Sequence, residues 1–281
     1  MGQSTGIGLS SFFCTIGSTA PVHLPTFAAG SASLIITVLP AYNEAEGIGL
    51  LIENIGKSLA QVDHQIVVVD DGSTDETGAI VNARMADWPV TLVTHEINRG
   101  AGQAIATGIE YACTHYKAED MIVTMDADNT QSPDLILTMM EAAQSGADVV
   151  IASRFVPGGG QSGVPWHRSL LSHGARLVFR LLFPMGVKDY TSFFRMYRIG
   201  LLQEAVAMYQ PFLEARGFAA ILELLLKLRP LKPTIVQVPL FLRYDLKAGD
   251  SKMNILKTLI EYAGLLIRVK WMKAHTTSLD T

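Results

Sequence analysis

The sequence predicts an α/β domain built on a mostly parallel central sheet flanked by helices. From Leu34 onward, short apolar runs alternate with helical stretches long enough to serve as crossovers. Runs such as "IVVV" (66–69) are continuous and β-branched, as strands covered by helices on both faces require. Polar motifs rich in acids, amides, arginine and glycine then fall after each of five predicted strands. Parallel sheets gather ligands at those carboxyl ends.

In order, the strands are predicted over Leu34–Leu39, Gln65–Val69, Val90–Thr94, Met121–Met125 and Asp148–Ala152. The motifs that follow them are "PAYNEAE" (40–46), "DDGSTDET" (70–77), "HEINRGAGQA" (95–104), "DADNTQSP" (126–133) and "SRFVPGGG" (153–160). Turn chemistry alone does not call for five such ends, so their convergence marks a site. Beyond Gln161 the pattern changes to helix, a short strand near Ser192–Tyr197, more helix, and a strand near Thr234–Leu242. "GGGQSG" (158–163) suits a mobile loop over the site or a linker. Residues 1–33, rich in Gly, Ser, Thr and Ala and without Lys or Arg, read as a flexible lead-in rather than a secretory signal. Residues 34–253 form the predicted catalytic domain, and 254–281 an amphipathic helix and tail.

Composition excludes several classes. At 49% hydrophobic and 17% charged the chain is apolar, yet it has no uninterrupted apolar run long enough to span a membrane. Its two cysteines, Cys14 and Cys113, provide neither a disulfide framework nor metal-ligand spacing, which fits a reducing, cytoplasmic setting. The net charge of −4 conceals a basic C-terminal region suited to an anionic substrate or an acidic membrane surface, or simply to a solvated tail. No motif points to nucleic acid. "GAGQAIATG" (100–108) fails as a dinucleotide fingerprint, because Ile105 stands where the third glycine belongs and the motif follows the third strand.

Asp126 and Asp128 carry the sharpest chemistry. On a strand, residues i and i+2 face one side, so the two carboxylates are expected to meet at one spot. There they would repel unless a hard divalent cation, Mg2+ or Mn2+, bridged them to a phosphate. The same stretch also suits a helix N-terminus opened by Ser132-Pro133. Asp70 and Asp71 suit either a ribose or base edge, or turn and capping chemistry.

Taken together and in order, these motifs resemble family 2 glycosyltransferases of the GT-A fold, and more closely the dolichol- or polyprenol-phosphate mannosyltransferase-like branch. The resemblance runs from about Ile35 to Met253. It implies a metal-dependent, inverting transfer of a hexose, mannose or glucose, from a nucleotide diphosphate (GDP-mannose or UDP-glucose) to a polyprenyl phosphate. By that likeness Pro40, Tyr42, Glu44 and Asp71 surround the base and ribose, and Arg99 or Gln103 sits near the diphosphate. Asp126 binds the nucleotide sugar, and Asp128 is the surer metal ligand, with Thr130 or Gln131 close by. Arg154 in "SRF" is brought toward the site, and Arg168 and Ser172 face the acceptor phosphate. "DYTSFFRMY" (189–197) is similar to the family's D-x-T-S-G-F-R segment, giving Asp189, Ser192 and Arg195, but Phe193 replaces its glycine. Glu223 takes the place of a helical acid, and Arg243, Lys247, Ser251 and Lys252 that of a phosphate-binding tail.

A lipid phosphate is already an anion, so it needs cations to hold it rather than a base to activate it. Arg168, Arg195, Arg243, Lys247 and Lys252 are the candidates. Two rivals stand beside this reading: transfer to a sugar or protein hydroxyl with Asp189 as base, and a non-catalytic sugar-nucleotide binding protein. The helix expected over Lys252–Lys273 places Lys257, Glu261, Gly264 and Arg268 on a narrow polar stripe amid apolar residues. It suits core packing, a homo-oligomer contact, or peripheral association with the cytoplasmic face of a membrane.

Overall fold

The computed structural model describes residues 33–246 and 255–276, with the backbone alone for residues 167–168, 255–257 and 269–276. The lead-in up to residue 32 and the tail residues Lys247, Ser251 and Lys252 lie outside the described residues, as does the boundary expected at 253 and 254.

The first half of the chain alternates strand and helix as expected. β1 (Ile35–Ala41), α1 (Ile48–Ser58), β2 (His64–Asp70), α2 (Thr77–Arg84) and β3 (Val90–Thr94) come first. They are followed by α3 (Ala101–His115), β4 (Met121–Thr124), α4 (Leu135–Gln144) and β5 (Val149–Ser153). Beyond them lie β6 (Gly160–Ser162), α5 (Trp166–Leu182), β7 (Arg195–Arg198), α6 (Ile199–Met208), α7 (Ala219–Leu228), β8 (Ile235–Pro239), β9 (Phe241–Arg243) and α8 (Ile255–Thr276).

The main sheet has the order β3-β2-β1-β4-β7-β5-β8, all parallel except β7, which runs antiparallel between β4 and β5. Strand period explains its two cores. Ile36, Val38, Val67 and Val69 face one side and pack under α3, α6 and α7, while Ile35, Leu39, Ile66 and Val68 face the other with α1 and α4. Both faces are dry, which is why the strands read as unbroken apolar runs. The strand order reverses between β1 and β4, and an open α/β sheet leaves its crevice beyond the carboxyl ends at such a switch point.

The second half departs from expectation in three places. "GGGQSG" is not a free loop: Gly160–Ser162 forms β6 and pairs in parallel with β9. The strand expected over Thr234–Leu242 is divided, with β8 joining the main sheet beside β5 and β9 leaving it for β6. The strand near Ser192–Tyr197 begins later, at Arg195, and is a central antiparallel insertion.

Candidate functional site

Two adjoining cavities lie at the carboxyl end of the sheet. The larger, of about 460 Å³, is lined by the ends of β1, β2 and β4, the start of α3, the turn before α7, and α8. Pro40, Tyr42, Glu44, Asp71, Asp126 and Asp128 all line it, so it gathers the nucleotide and metal candidates from three distant motifs. The second, of about 190 Å³, lies between α5, α8 and the β6–β9 pair and includes Arg154 and Ser172. Phe218 and Thr258 border both, so the cavities meet there.

β4 ends at Thr124, so Asp126 and Asp128 do not share one face of a strand as expected. They sit on a turn in which Asn129 adopts left-handed geometry, with φ at +60°. Each acid is oriented by a neighbour. Gln131 Nε2 donates to Asp126 Oδ2 at 2.6 Å, and Thr130 Oγ1 donates to Asp128 Oδ1 at 2.7 Å. Thr130 and Gln131 are buried behind the acids and do not line the cavity. They aim the carboxylates from behind. Ser132-Pro133 does precede a helix, but α4 begins at Leu135 after Asp134.

Asp71 is buried, and its carboxylate holds the β3–α3 loop. It accepts from the Arg99 and Gly100 backbone N–H groups at 2.9 and 2.8 Å. The His95 ring, at 2.7 Å through Nδ1, also contacts it, while His95 Nε2 lies 3.0 Å from Thr107 Oγ1. The Arg99 side chain is exposed and does not line the cavity. Gln103 faces elsewhere: its Nε2 donates to the Leu213 and Ala215 carbonyls, tying down the segment before α7. The glycines of "GAG" belong to the same junction. A Cβ at Gly100 would stand 2.3 Å from the Arg216 carbonyl oxygen, and one at Gly102 2.4 Å from that of Ala215. These glycines admit a neighbouring backbone, not a dinucleotide.

Asp189 and Arg195 are fully buried and line neither cavity. Asp189 receives Arg154 side on, Nε to Oδ2 and Nη2 to Oδ1, both at 2.8 Å, and accepts the Ser192 N–H at 2.9 Å. Burial pushes its carboxyl up, but the charge and hydrogen bonds of Arg154, with the charge of Arg195, outweigh that and hold it below the ordinary carboxylate range. A carboxylate so enclosed has no path to an acceptor hydroxyl, and the geometry gives Asp189 the role of positioning Arg154. Arg195 donates to the Tyr190 and Ile221 carbonyls, bracing β7 against α7. Glu223 is likewise structural in its contacts. It accepts the Glu214 and Ala215 N–H groups at 3.0 and 2.9 Å and pairs with buried Lys227 at 2.9 Å. Arg243 is exposed and paired with Asp245 at 2.7 Å. The Arg168 side chain lies outside the described residues.

In the second cavity the Ser172 hydroxyl and Gln161 Oε1 are buried without a hydrogen-bond partner, beside Arg154. Leu171, Leu242, Leu259 and Tyr262 make the remaining wall largely apolar, and burial pushes the Tyr262 phenol up to about 12. Phe193 is 5% exposed and forms part of the larger cavity's wall, while its carbonyl accepts from Thr124 Oγ1 at 2.8 Å. Where the resembled motif has glycine, this chain has a fixed ring.

Sequence reading missed Arg216, Phe218, Thr258 and Glu261, which also line the larger cavity. Only Glu261 had a signal, its place in the polar stripe. Of that stripe, Glu261 reaches the cavity, and Arg268 is bonded to Glu214 at 2.8 Å at the surface. Ile260 and Ile267 face outward instead, 63% and 64% exposed.

The comparisons with known proteins agree with this geometry. The family described as "Glycosyl transferase family 2" matches residues 36–205, more than half of the chain. The dolichol-phosphate mannosyltransferase of Pyrococcus furiosus is 32% identical over 84% of this chain and 64% of its own length, so the chain spans just under two thirds of that relative. The polyprenol monophosphomannose synthase of Mycolicibacterium smegmatis is 31% identical over 78% of this chain and 80% of its own. Among solved structures, the glucosyl-3-phosphoglycerate synthase of Mycobacterium tuberculosis, in complex with Mn2+, UDP and phosphoglyceric acid, superposes with a TM-score of 0.63. It is 20% identical and covers 88% of this chain and 84% of its own, a likeness of fold. With the switch-point cleft and its acidic turn in place, the chain has the GT-A fold and belongs to glycosyl transferase family 2, in its dolichol- and polyprenol-phosphate mannosyltransferase-like branch.

Proposed function

We propose that the protein transfers mannose from a nucleoside diphosphate, GDP-mannose first, to a polyprenyl phosphate, with inversion at the anomeric carbon. One observation supports this most: an acidic cleft at the switch point opens, through Phe218 and Thr258, into an apolar cavity bearing Arg154 and the unpartnered Ser172 hydroxyl. The two compartments suit a nucleotide sugar and a lipid phosphate, and two relatives carry mannosyl and polyprenyl or dolichyl substrates in their names.

Charge supports a divalent cation. Glu44, Asp71, Asp126, Asp128 and Glu261 line the larger cavity, against Arg216 as the one cation among the described lining residues. A diphosphate is repelled by such a wall unless a cation intervenes. Asp128 and Asp126 supply hard oxygen ligands of the kind Mg2+ or Mn2+ takes. When bound, that ion offsets the charge developing on the leaving diphosphate.

The chain's own residues do the rest. Pro40, Tyr42 and Glu44 border the base and ribose, and Asp71 fixes the loop beside them. Arg154, held by Asp189, and Ser172 draw the lipid phosphate to the junction. Its oxygen attacks the anomeric carbon as the bond to the β-phosphate oxygen breaks, and the nucleoside diphosphate leaves with the electron pair. The nucleophile is already ionised, so no base is required. The apolar cavity takes the first isoprene units. α5 exposes Trp166, Leu170, Leu177 and Leu181 at 61–77%, which suits peripheral contact at the cytoplasmic face of a membrane. Among the described residues no helix is long and apolar enough to cross one.

The test is transfer of radiolabelled hexose to polyprenyl phosphate in detergent, with Mn2+ or a chelator. Metal-dependent label in the lipid is expected. Label in a soluble sugar acceptor, with none in the lipid, would overturn the reading.

A further inference from the structure

Glu261 is a carboxylate without an assigned task. It stands on α8, the last of the described elements, yet lines the cavity formed by strand ends more than 130 residues earlier, Asp126 and Asp128 included. Its Oε2 is buried and finds no hydrogen-bond partner. Gly217 makes room for it, since a Cβ there would stand 2.3 Å from that oxygen. A buried acceptor left unpaired is costly, and one kept at the wall of a substrate cavity points to a donor that arrives with the substrate.

The chemistry narrows the donor. In the proposed site the cation falls to Asp126 and Asp128, and among the described residues no three acidic, His or Cys side chains are gathered on one point. A diphosphate offers only acceptors and would be repelled. The lipid phosphate needs no base. The nucleotide's own donors, on ribose and base, lie with Pro40, Tyr42 and Glu44 in the proposed site, which leaves Glu261 the sugar, whose vicinal hydroxyls match a carboxylate's two oxygens. Phe193 and Phe218 line the same cavity, and apolar rings beside a carboxylate suit the mixed faces of a hexose.

We propose that Glu261 is a specificity-determining residue, accepting hydrogen bonds from hydroxyls of the transferred hexose and so selecting among epimeric donors. This rests on the reading of the larger cavity as the nucleotide-sugar site. Because α8 lies far from the family-matched stretch of 36–205, the strand-end motifs do not reveal the contact.

The experiment compares the full-length wild type with Glu261→Gln and Gly217→Ala, measuring affinities for GDP, GDP-mannose and GDP-glucose in Mn2+ by calorimetry. In wild type the mannose donor should exceed its epimer. In Glu261→Gln that preference should shrink by about 10-fold or more, the loss of a charge-assisted hydrogen bond, while any change in GDP affinity is shared by both donors and cancels from the preference. Gly217→Ala, which displaces the carboxylate without removing it, should erode the same preference. Equal weakening of GDP and both donors would show that Glu261 only holds α8 in place, and an unchanged preference would show that it does not touch the sugar. Either result overturns the proposal while leaving the donor site standing. Wild type that binds no nucleotide at all would instead overturn the reading of the cavity itself.

Discussion

Arg154 and Asp189 meet in a two-point contact, both N–O distances 2.8 Å, with the Asp189 side chain fully buried and the Arg154 side chain 13% exposed at the edge of the apolar cavity. The pair makes a residue that reads in sequence as a candidate base into the mount for a cation. Asp189→Asn should therefore destabilise the fold by about 3–5 kcal/mol, since it leaves a desolvated arginine without its counter-ion. Urea unfolding of the variant against wild type measures this, and a loss below 1 kcal/mol would contradict it.

The same contact sets an acid limb. The folded Asp189 carboxyl lies below its ordinary value of 3.8, so its contribution to stability is fully present above that value. It is lost as pH falls through the lower folded value, because the unfolded chain then binds the proton more readily. Thermal melts between pH 5 and pH 2 should show wild type losing Tm more steeply than Asp189→Asn below about pH 4.

In the proposed site, Asp128 and its prop Thr130 separate metal binding from scaffolding. Asp128→Ala should lower kcat/KM at least 100-fold, about 2.7 kcal/mol of transition-state stabilisation. Thr130→Val removes the 2.7 Å hydrogen bond that aims Asp128 but leaves the carboxylate, so raised Mn2+ should recover much of its smaller loss. Activity titrated against Mn2+ distinguishes the two patterns.

His95 is placed to act on the proposed donor site through Asp71. Its ring joins Asp71 Oδ1 to Thr107, and Asp71 in turn holds the Arg99 and Gly100 amides at the cavity. His95→Ala should raise the donor KM about 10-fold by releasing that loop, with kcat nearly unchanged. An equal fall in kcat would place His95 closer to the reacting atoms than the structure does.

Leu171 lines the apolar cavity and is 37% exposed, so a charge there can be solvated without unfolding the core. Leu171→Asp should raise the KM for polyprenyl phosphate about 10-fold or more, setting an acid against an anionic, apolar acceptor, while leaving nucleotide affinity alone. Calorimetry with GDP and Mn2+ provides the control.

The amino-acid order by itself determined the sheet and the acidic half of the cleft. Period-two burial and β-branched runs are local signals, and the motif after each strand must lie at the carboxyl edge once the strands are parallel. Hence Pro40, Tyr42, Glu44, Asp71, Asp126 and Asp128 could be assembled on paper and are found together. Tertiary structure decided what depends on contacts distant in sequence. It inserted β7 antiparallel between β4 and β5, converted "GGGQSG" into β6, and enclosed Asp189 with Arg154. It also laid α8 so that Glu261 reaches the cleft beside Gly217. A stripe of charge looks the same in sequence whether it meets water or a substrate cavity, because only packing determines which surface the helix is laid against.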